Sequence, residues 1–220
     1  MKATFGGMVA FYPENPLYTG AIEDASHNRL RVLRQVPFDA TGTDTLDLVL
    51  TVNGIPVATL ELKTDNTQAV RDAVKQYKVD RQPTKNRPLL KPGRALVHFA
   101  VSNQEAWMTT ALDGLTTFFL PFNKGHDGHA GNPVNPQGSD TSYLWEEVFE
   151  PELFLRILRD YALWEPSSKG NKGRLIFPRY HQLRATENVI DDIAARGAGG
   201  RYLIQRSAGS GKTKTIAWMR

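Results

Sequence analysis

The sequence predicts an α/β fold in which helices flank a mixed central sheet. Three extended segments follow one another in the N-terminal half, RLRVLRQVPF, LDLVLTVNG and IPVATLELK. A helical pattern, TQAVRDAVKQYKVDR, comes next, followed by ALVHFAVS and AWMTTAL, which we expect to be neighbouring strands. One helix with extended segments on either side is typical of a small sheet covered by helices.

The composition is that of a globular protein, since 40% of the 220 residues are hydrophobic and 23% are charged. The chain has no cysteine, which excludes disulfides and thiolate metal sites. The opening segment, MKATFGGMVAFYPENP, lacks the apolar run of a signal peptide, and no segment approaches the roughly 18 apolar residues of a membrane span. We therefore expect a cytoplasmic protein with no membrane partner. The net charge of +4 is compatible with a nucleic-acid partner without requiring one.

The strongest single motif is a phosphate-binding loop near the C-terminal end, in RYLIQRSAGSGKTKTIAWM. We predict a strand over residues 202–204, a glycine-rich loop and then a helix. Glycines allow the backbone to wrap a phosphate, the lysine reaches the β and γ oxygens, and the threonine hydroxyl binds Mg²⁺. The predicted ATP-binding residues are Gly209, Ser210, Gly211, Lys212 and Thr213, and Thr213 is also a predicted Mg²⁺ ligand.

The phosphate-binding motif departs from the usual pattern at one position, and it has an alternative interpretation. Arg206 stands where one form of the pattern has glycine and the related helicase form has alanine. The alternative interpretation is a glycine-rich connection between a strand and a helix that contains an incidental lysine.

Upstream, PRYHQLRAT is similar to the element that reads adenine in superfamily 2 helicases, and its Gln182 precedes Lys212 by 30 residues. We predict that Gln182 contacts adenine; the alternative is an ordinary polar residue at the start of a helix.

The segment LDLVLTVNGIPVATLELK predicts a hairpin of two apolar strands joined by an Asn53–Gly54 turn, yet it carries three charges. Asp47 interrupts the first strand, and Glu61 and Lys63 stand at the end of the second. Unpaired carboxylates are costly in such apolar surroundings. If the hairpin twists enough to bring Asp47 opposite Glu61, the two carboxylates form an oxygen site for a divalent cation.

The spacing of these charges, D…E-x-K, is that of PD-(D/E)XK nucleases. Phosphodiester hydrolysis needs a cation to stabilise charge on the phosphate and an activated water. We predict Asp47, Glu61 and the Leu62 carbonyl as metal ligands, and Asp47, Glu61 and Lys63 as the catalytic residues, with Lys63 serving the water. The alternative is that these charges mark the solvent face of a half-exposed sheet.

Taken together, the two motifs resemble the restriction (R) subunit of type I restriction-modification enzymes, in which a PD-(D/E)XK nuclease precedes a superfamily 2 helicase motor. The resemblance extends over NRLRVLRQVPF, LDLVLTVNGIPVATLELK, DAVKQYKVDRQP, RALVHFAVS, TTFFLPFNKG, GNPVNPQG, YLWEEV, PRYHQ and AGSGKT. It implies Mg²⁺ and ATP as cofactors. The implied partners are double-stranded DNA and the modification (methyltransferase) and specificity subunits.

The resemblance also implies a supporting Gln-x-x-x-Tyr element on the helix after the hairpin. Tyr77 fits this element, but Ala73 occupies its glutamine position, so Gln76 or Gln68 has to substitute. Further nuclease elements before this start and further motor motifs after Arg220 are implied as well, which makes the chain a fragment. We therefore expect the isolated chain to lack ATPase activity.

The resulting domain prediction has three parts. Residues 1–122 form the nuclease domain, residues 123–172 a linker loop and helix, and residues 173–220 the beginning of a RecA-like motor domain. Two other functions remain open, namely a non-catalytic docking module attached to a motor and an NTPase of another kind. The basic side chains of the helix after the hairpin either track DNA phosphates or form a solvated face; they are Arg71, Lys75, Lys78 and Arg81.

Overall fold

The computed structural model describes residues 7–64, 69–166, 173–205 and 209–219. The chain forms two compact units, Met1–Phe177 and Pro178–Arg220. The first unit contains the predicted mixed sheet, and the second contains the glycine-rich loop. Among the described residues, no helix is both long and apolar enough to cross a membrane.

The sheet of the first unit has six strands in the order of the chain. All neighbouring strands are antiparallel except β3 and β4, which are parallel. The predicted α/β class with a mixed sheet is therefore confirmed. The strands are Leu30–Pro37 (β1), Thr45–Val52 (β2), Ile55–Leu62 (β3), Val97–Val101 (β4), Ala106–Thr109 (β5) and Leu120–Pro121 (β6).

A short helix, Thr19–Ser26 (α1), precedes the sheet, and a second helix, Val70–Val79 (α2), connects β3 to β4. Parallel strands need such a crossover, which is why a helix stands at this place in the sequence. The buried side of α2 carries Val70, Ala73 and Tyr77, which pack into the core of the sheet. The ring of Tyr77 lies 5.7 Å from that of His98 on β4. Helix α2 thus covers the sheet on the side where His98 points.

The opposite side of the sheet is covered by the segment that follows β6. Phe99 is the neighbour of His98 on β4 and therefore points the other way. Its ring packs 5.3 Å from Phe122, 5.5 Å from Phe149 and 6.1 Å from Phe177. The predicted helical stretch after residue 142 is interrupted: it forms a π-helix at Leu144–Val148, a helix at Pro151–Arg156 (α3) and another π-helix at Ile157–Tyr161. A two-stranded sheet of Leu163–Glu165 (β7) and Arg174–Ile176 (β8) follows.

The loop at residues 123–142 is held against the turn between β4 and β5 by its polar side chains. Asn123 Oδ1 accepts a hydrogen bond from the Ala106 backbone at 2.8 Å, and Asn132 Nδ2 donates to the Gln104 carbonyl at 2.7 Å. Such asparagine contacts fix a loop without regular secondary structure.

The described residues of the second unit form two helices, Tyr180–Arg196 (α4) and Lys212–Trp218 (α5). The predicted strand at residues 202–204 is wrong, because residues 201–205 have no regular secondary structure. A strand needs a neighbour to complete its backbone hydrogen bonds, and residues 178–205 and 209–219 include no strand to pair with it. Residue Arg206, where the sequence departs from the helicase pattern, lies outside the described residues.

Candidate functional site

The hairpin of β2 and β3 brings two predicted carboxylates together. Asn53 and Gly54 have φ angles of 52° and 83°, as a two-residue hairpin turn requires, so the predicted turn is confirmed. The ladder pairs Leu48 with Leu60, with a register shift between Leu50 and Thr51 nearer the turn. One position beyond the Leu48 pair, Asp47 stands opposite Glu61. Directly opposed residues project to the same face of a sheet, which meets the geometric condition set by the sequence.

Asp47 is held in place by both neighbouring strands. Its Oδ2 accepts a hydrogen bond from the backbone N–H of Leu62 at 2.8 Å. Its Oδ1 accepts a weaker one from Gln35 Nε2 at 3.2 Å. Gln35 has a φ of 50°, which is uncommon for a residue other than glycine. Sequence reasoning missed this contact, because nothing in the pattern of β1 signals a left-handed residue.

Glu61 is enclosed by the protein, with only 1% of its surface exposed. Burial raises the pKa of Glu61 to about 7; the hydrogen bond and the charge of Arg81 oppose this shift, and the charge of Asp47 adds to it. An additional cation beside Glu61 would stabilise the ionised form of its carboxyl group.

Lys63 follows the last residue of β3, and its backbone N–H donates to the Val101 carbonyl at 2.8 Å. The two-residue period of a strand places its side chain on the same face as Glu61. Its positive charge lowers the pKa of Glu61, so the two groups lie within electrostatic reach. Lys63 is half-buried, and its role with the attacking water stays a prediction.

Arg81 is the site residue whose place was not predicted. Neither interpretation of the basic helix face holds for it, because Arg81 is only 6% exposed. Its Nε donates to Glu61 Oε1 at 2.8 Å, which makes a buried ion pair. The helical period gives no signal for this contact, because α2 ends at Val79 and Arg81 lies beyond the helix. Arg71 and Lys75 are exposed, so the two alternatives stay open for them.

Tyr77 anchors α2 beneath the site. Its buried hydroxyl lies 2.8 Å from Thr59 Oγ1, which also lies 2.8 Å from His98 Nδ1. Burial raises the pKa of Tyr77 well above its usual value, so the hydroxyl keeps its proton. Ala73, at the expected glutamine position, is fully enclosed in the core.

Gln76 is the half-buried residue that precedes Tyr77 on α2. Its Oε1 is enclosed, and the described part of the chain offers it no hydrogen-bond partner. The other substitute, Gln68, lies outside the described residues. The structure thus gives Gln76 a buried amide oxygen that other polar groups do not use.

The donor set at the hairpin fits a hard divalent cation. Two carboxylates stand at facing positions, and the Leu62 backbone between Glu61 and Lys63 is already tied to Asp47. Carboxylate and carbonyl oxygens are the ligands that Mg²⁺ prefers. The described ranges contain no group of three or more histidines, aspartates or glutamates arranged for a metal, so a cation here would take backbone or water oxygens as its further ligands.

The glycine-rich loop of the second unit leads directly into α5. Gly209 and Gly211 have φ angles of 74° and 80°, in the left-handed region that favours glycine. Lys212 and Thr213 begin α5 and are exposed, whereas Ser210 is buried. The predicted order of loop and helix is present, although the strand before it is not.

Gln182 lies against this loop, at the start of α4. Its Nε2 donates to the Gly211 carbonyl at 3.1 Å, and its Oε1 accepts from the Arg179 backbone at 2.9 Å. Two neighbours reach the same loop: His181 Nε2 lies 3.2 Å from the Ser210 carbonyl, and Arg179 Nη2 lies 3.3 Å from the Gly209 carbonyl. The element predicted to read adenine and the element predicted to hold phosphates therefore meet, while the adenine contact of Gln182 stays a prediction.

A comparison with known protein families finds a match over the region that holds the hairpin. Residues 21–117 match the family model described as the N terminus of the type I restriction enzyme R protein. The matched region includes Asp47, Glu61, Lys63, Tyr77 and Arg81, and it ends before the glycine-rich loop. No curated protein matches the chain. The match thus supports the resemblance to type I restriction subunits for residues 21–117. The motor prediction for the second unit depends on the glycine-rich motif alone.

Proposed function

We propose that the β2–β3 hairpin is the Mg²⁺-dependent nuclease site of a type I restriction subunit and that it cleaves double-stranded DNA. The observation that carries the proposal is the pairing of Asp47 with a buried Glu61 at facing positions, inside the region matched by the restriction family. Two neighbouring carboxylates carry two negative charges, and the ion pair with Arg81 offsets one of them, so a further cation would stabilise the site.

Each residue of the site has a chemical task in this proposal. Asp47 and Glu61 hold the cation, together with the Leu62 carbonyl. The cation supplies charge stabilisation at the scissile phosphate and lowers the pKa of a bound water. Lys63, beside Glu61 on the same strand face, orients the attacking water. The Leu62 N–H keeps Asp47 turned toward β3.

For the second unit we propose ATP binding and, in the complete subunit, DNA translocation. Gly209, Ser210, Gly211, Lys212 and Thr213 hold the phosphates and their Mg²⁺, and Gln182 reads adenine. The exposed Lys212 and Thr213 at the first turn of α5 support this part. The proposed partners are the modification and specificity subunits, which provide recognition of the DNA sequence.

Calorimetric titration with Mn²⁺ and Mg²⁺ tests the nuclease proposal directly. The wild-type chain is expected to bind the metal, and Asp47→Asn and Glu61→Gln are each expected to abolish that binding. Asp24→Asn, which changes an exposed carboxylate on α1, is the matched control and should bind as the wild type does. Nicking of supercoiled DNA by the same proteins gives the second readout. A wild-type chain that binds neither metal would reject the proposed site.

One observation favours a different candidate function, a non-catalytic docking module attached to a motor. Glu61 already has an ionic partner in Arg81, so its charge is compensated without a metal. Under this alternative the three charges are structural, and Glu61→Gln alters stability without altering any interaction with metal or DNA. The titration above separates the two candidates.

A further inference from the structure

Arg81 is fixed beside Glu61 by groups from three parts of the fold. Its Nε donates to Glu61 on β3 at 2.8 Å, and its Nη2 donates to the carbonyl of Thr45 on β2 at 3.1 Å. Its guanidinium also lies over the ring of Phe38, 4.7 Å from the ring centre, just after the end of β1. A planar guanidinium held from several directions has little freedom to turn.

A second arginine braces the segment that carries Arg81. Arg87 lies over the same Phe38 ring at 5.4 Å, and its Nε donates to Asp39 Oδ2 at 2.7 Å. Its Nη1 donates to the Asp80 carbonyl, next to Arg81, at 2.7 Å. The segment after α2 is thereby tied to the connection between β1 and β2. Arg81 is held at its place by contacts that do not involve a metal.

This arrangement gives Glu61 a fixed partner, whereas an enclosed carboxylate without a partner would rearrange or unfold its surroundings. We propose that Arg81 is a positioning residue, which holds the Glu61 carboxylate on β3 in the place where it binds the cation together with Asp47. The inference rests on the proposed nuclease function. Hydrogen bonds to a metal ligand commonly govern metal affinity in this way.

Two physical effects of removing Arg81 have opposite signs, which makes the inference testable. A positive charge near a metal site repels the metal, so a purely electrostatic role predicts tighter metal binding after Arg81→Gln. A positioning role predicts weaker binding, by about 10-fold to 100-fold, because Glu61 loses the group that fixes it. Because Arg81 also holds the pKa of Glu61 down, its loss favours the protonated carboxyl, so the titration is done at two pH values. Weakening that persists at the higher pH supports the positioning role.

The experiment is a calorimetric titration of the chain with Mn²⁺, comparing the wild type with Arg81→Gln and Arg81→Lys. Both variants are expected to bind more weakly, Arg81→Lys less so because a lysine keeps the charge but cannot reproduce the arginine fork. Arg71→Gln is the matched control: it removes an arginine from the exposed side of α2, and it should change the affinity less than about threefold. Circular dichroism and thermal unfolding without metal establish that each variant is folded.

The outcomes separate this inference from the function on which it rests. If the wild type binds no Mn²⁺, the proposed nuclease site fails and Arg81 has no metal ligand to position. If the wild type binds and the folded Arg81 variants bind equally or more tightly, the nuclease site stands and the positioning role of Arg81 is overturned. If Arg81→Gln does not fold, Arg81→Lys alone decides, and unchanged affinity in that variant overturns the inference.

Discussion

The hydroxyl oxygens of Thr59 and Tyr77 lie 2.8 Å apart inside the core, where α2 meets β3. His98 on β4 completes the contact, with its Nδ1 2.8 Å from the same Thr59 oxygen. All three side chains are buried. This polar network lies on the same sheet face as Glu61, so it couples the packing of α2 to the strand that carries the candidate site.

Removing the Tyr77 hydroxyl should cost little, and removing that of Thr59 should cost more. After Tyr77→Phe the Thr59 hydroxyl keeps its partner His98, so we expect a loss of about 1 kcal/mol in the free energy of unfolding. Thr59→Val leaves the buried groups of both Tyr77 and His98 without this partner, so we expect a loss of at least about 2 kcal/mol. Urea unfolding followed by circular dichroism measures both. Equal losses in the two variants would show that the Thr59 hydroxyl is not the centre of the network.

His98 should make the fold sensitive to mild acid. Burial lowers the pKa of His98 to about 3, whereas an unfolded histidine titrates near 6.5. As the pH falls from 6.5 toward 3, the unfolded chain therefore takes up a proton that the folded chain does not, and stability falls by about 1.4 kcal/mol per pH unit. At pH 5 the loss is about 2 kcal/mol. His98→Asn should remove the His98 contribution, so its change in unfolding free energy between pH 7 and pH 5 should differ from that of the wild type by about 2 kcal/mol.

Glu61 changes stability with pH in the direction opposite to His98 over part of the same pH range. Its pKa is raised to about 7 by burial, so the folded chain binds a proton more readily than the unfolded chain and acidification toward pH 4.5 favours folding. This contribution is common to the wild type and to His98→Asn, so the difference between their pH slopes isolates His98. Parallel slopes would contradict the assignment.

Local sequence patterns predicted the elements whose structure is decided by neighbouring residues. The Asn53–Gly54 turn and α2 follow from turn chemistry and helical period, and the pairing of β4 with β5 follows from their short connection. The facing positions of Asp47 and Glu61 do not follow from the turn alone: the register next to the turn would place Asp47 opposite Leu60, and the shift between Leu50 and Thr51 moves it opposite Glu61.

Contacts between distant parts of the chain were not predictable in this way. The partner of Glu61 is Arg81, beyond the end of α2, and the exposed or buried state of an arginine depends on where that end meets the sheet. The left-handed Gln35 and its contact with Asp47 left no pattern in β1. The strand expected at residues 202–204 has the right composition, but composition does not provide the neighbouring strand that it needs.

Replacing the hairpin glycine and a helical glycine by alanine should change the free energy of unfolding in opposite directions. Gly54 has a φ of 83°, and an alanine there finds open space but a strained backbone, so we expect Gly54→Ala to cost about 1 kcal/mol. Gly20 lies inside α1, where an alanine also finds open space and the backbone is helical, so Gly20→Ala should stabilise by about 0.5–1 kcal/mol. Urea unfolding of both variants against the wild type measures the difference. A stabilising Gly54→Ala would contradict the left-handed turn.

A second matched pair tests the contact between Gln182 and the glycine-rich loop. Gly209 and Gly211 both have positive φ, so alanine strains the backbone at either position, but only a Cβ at Gly211 would overlap Gln182 Nε2. Because that atom belongs to a flexible side chain, we expect Gly211→Ala to push the Gln182 amide away from the Gly211 carbonyl, which it contacts at 3.1 Å in the wild type. Nuclear magnetic resonance of the glutamine side-chain amides, with Gln182→Ala to assign the signal, should show it moving toward the position of a solvated amide in Gly211→Ala and staying in place in Gly209→Ala. An unmoved signal in Gly211→Ala, or an equal shift in both variants, would mean that Gln182 does not rest on this loop.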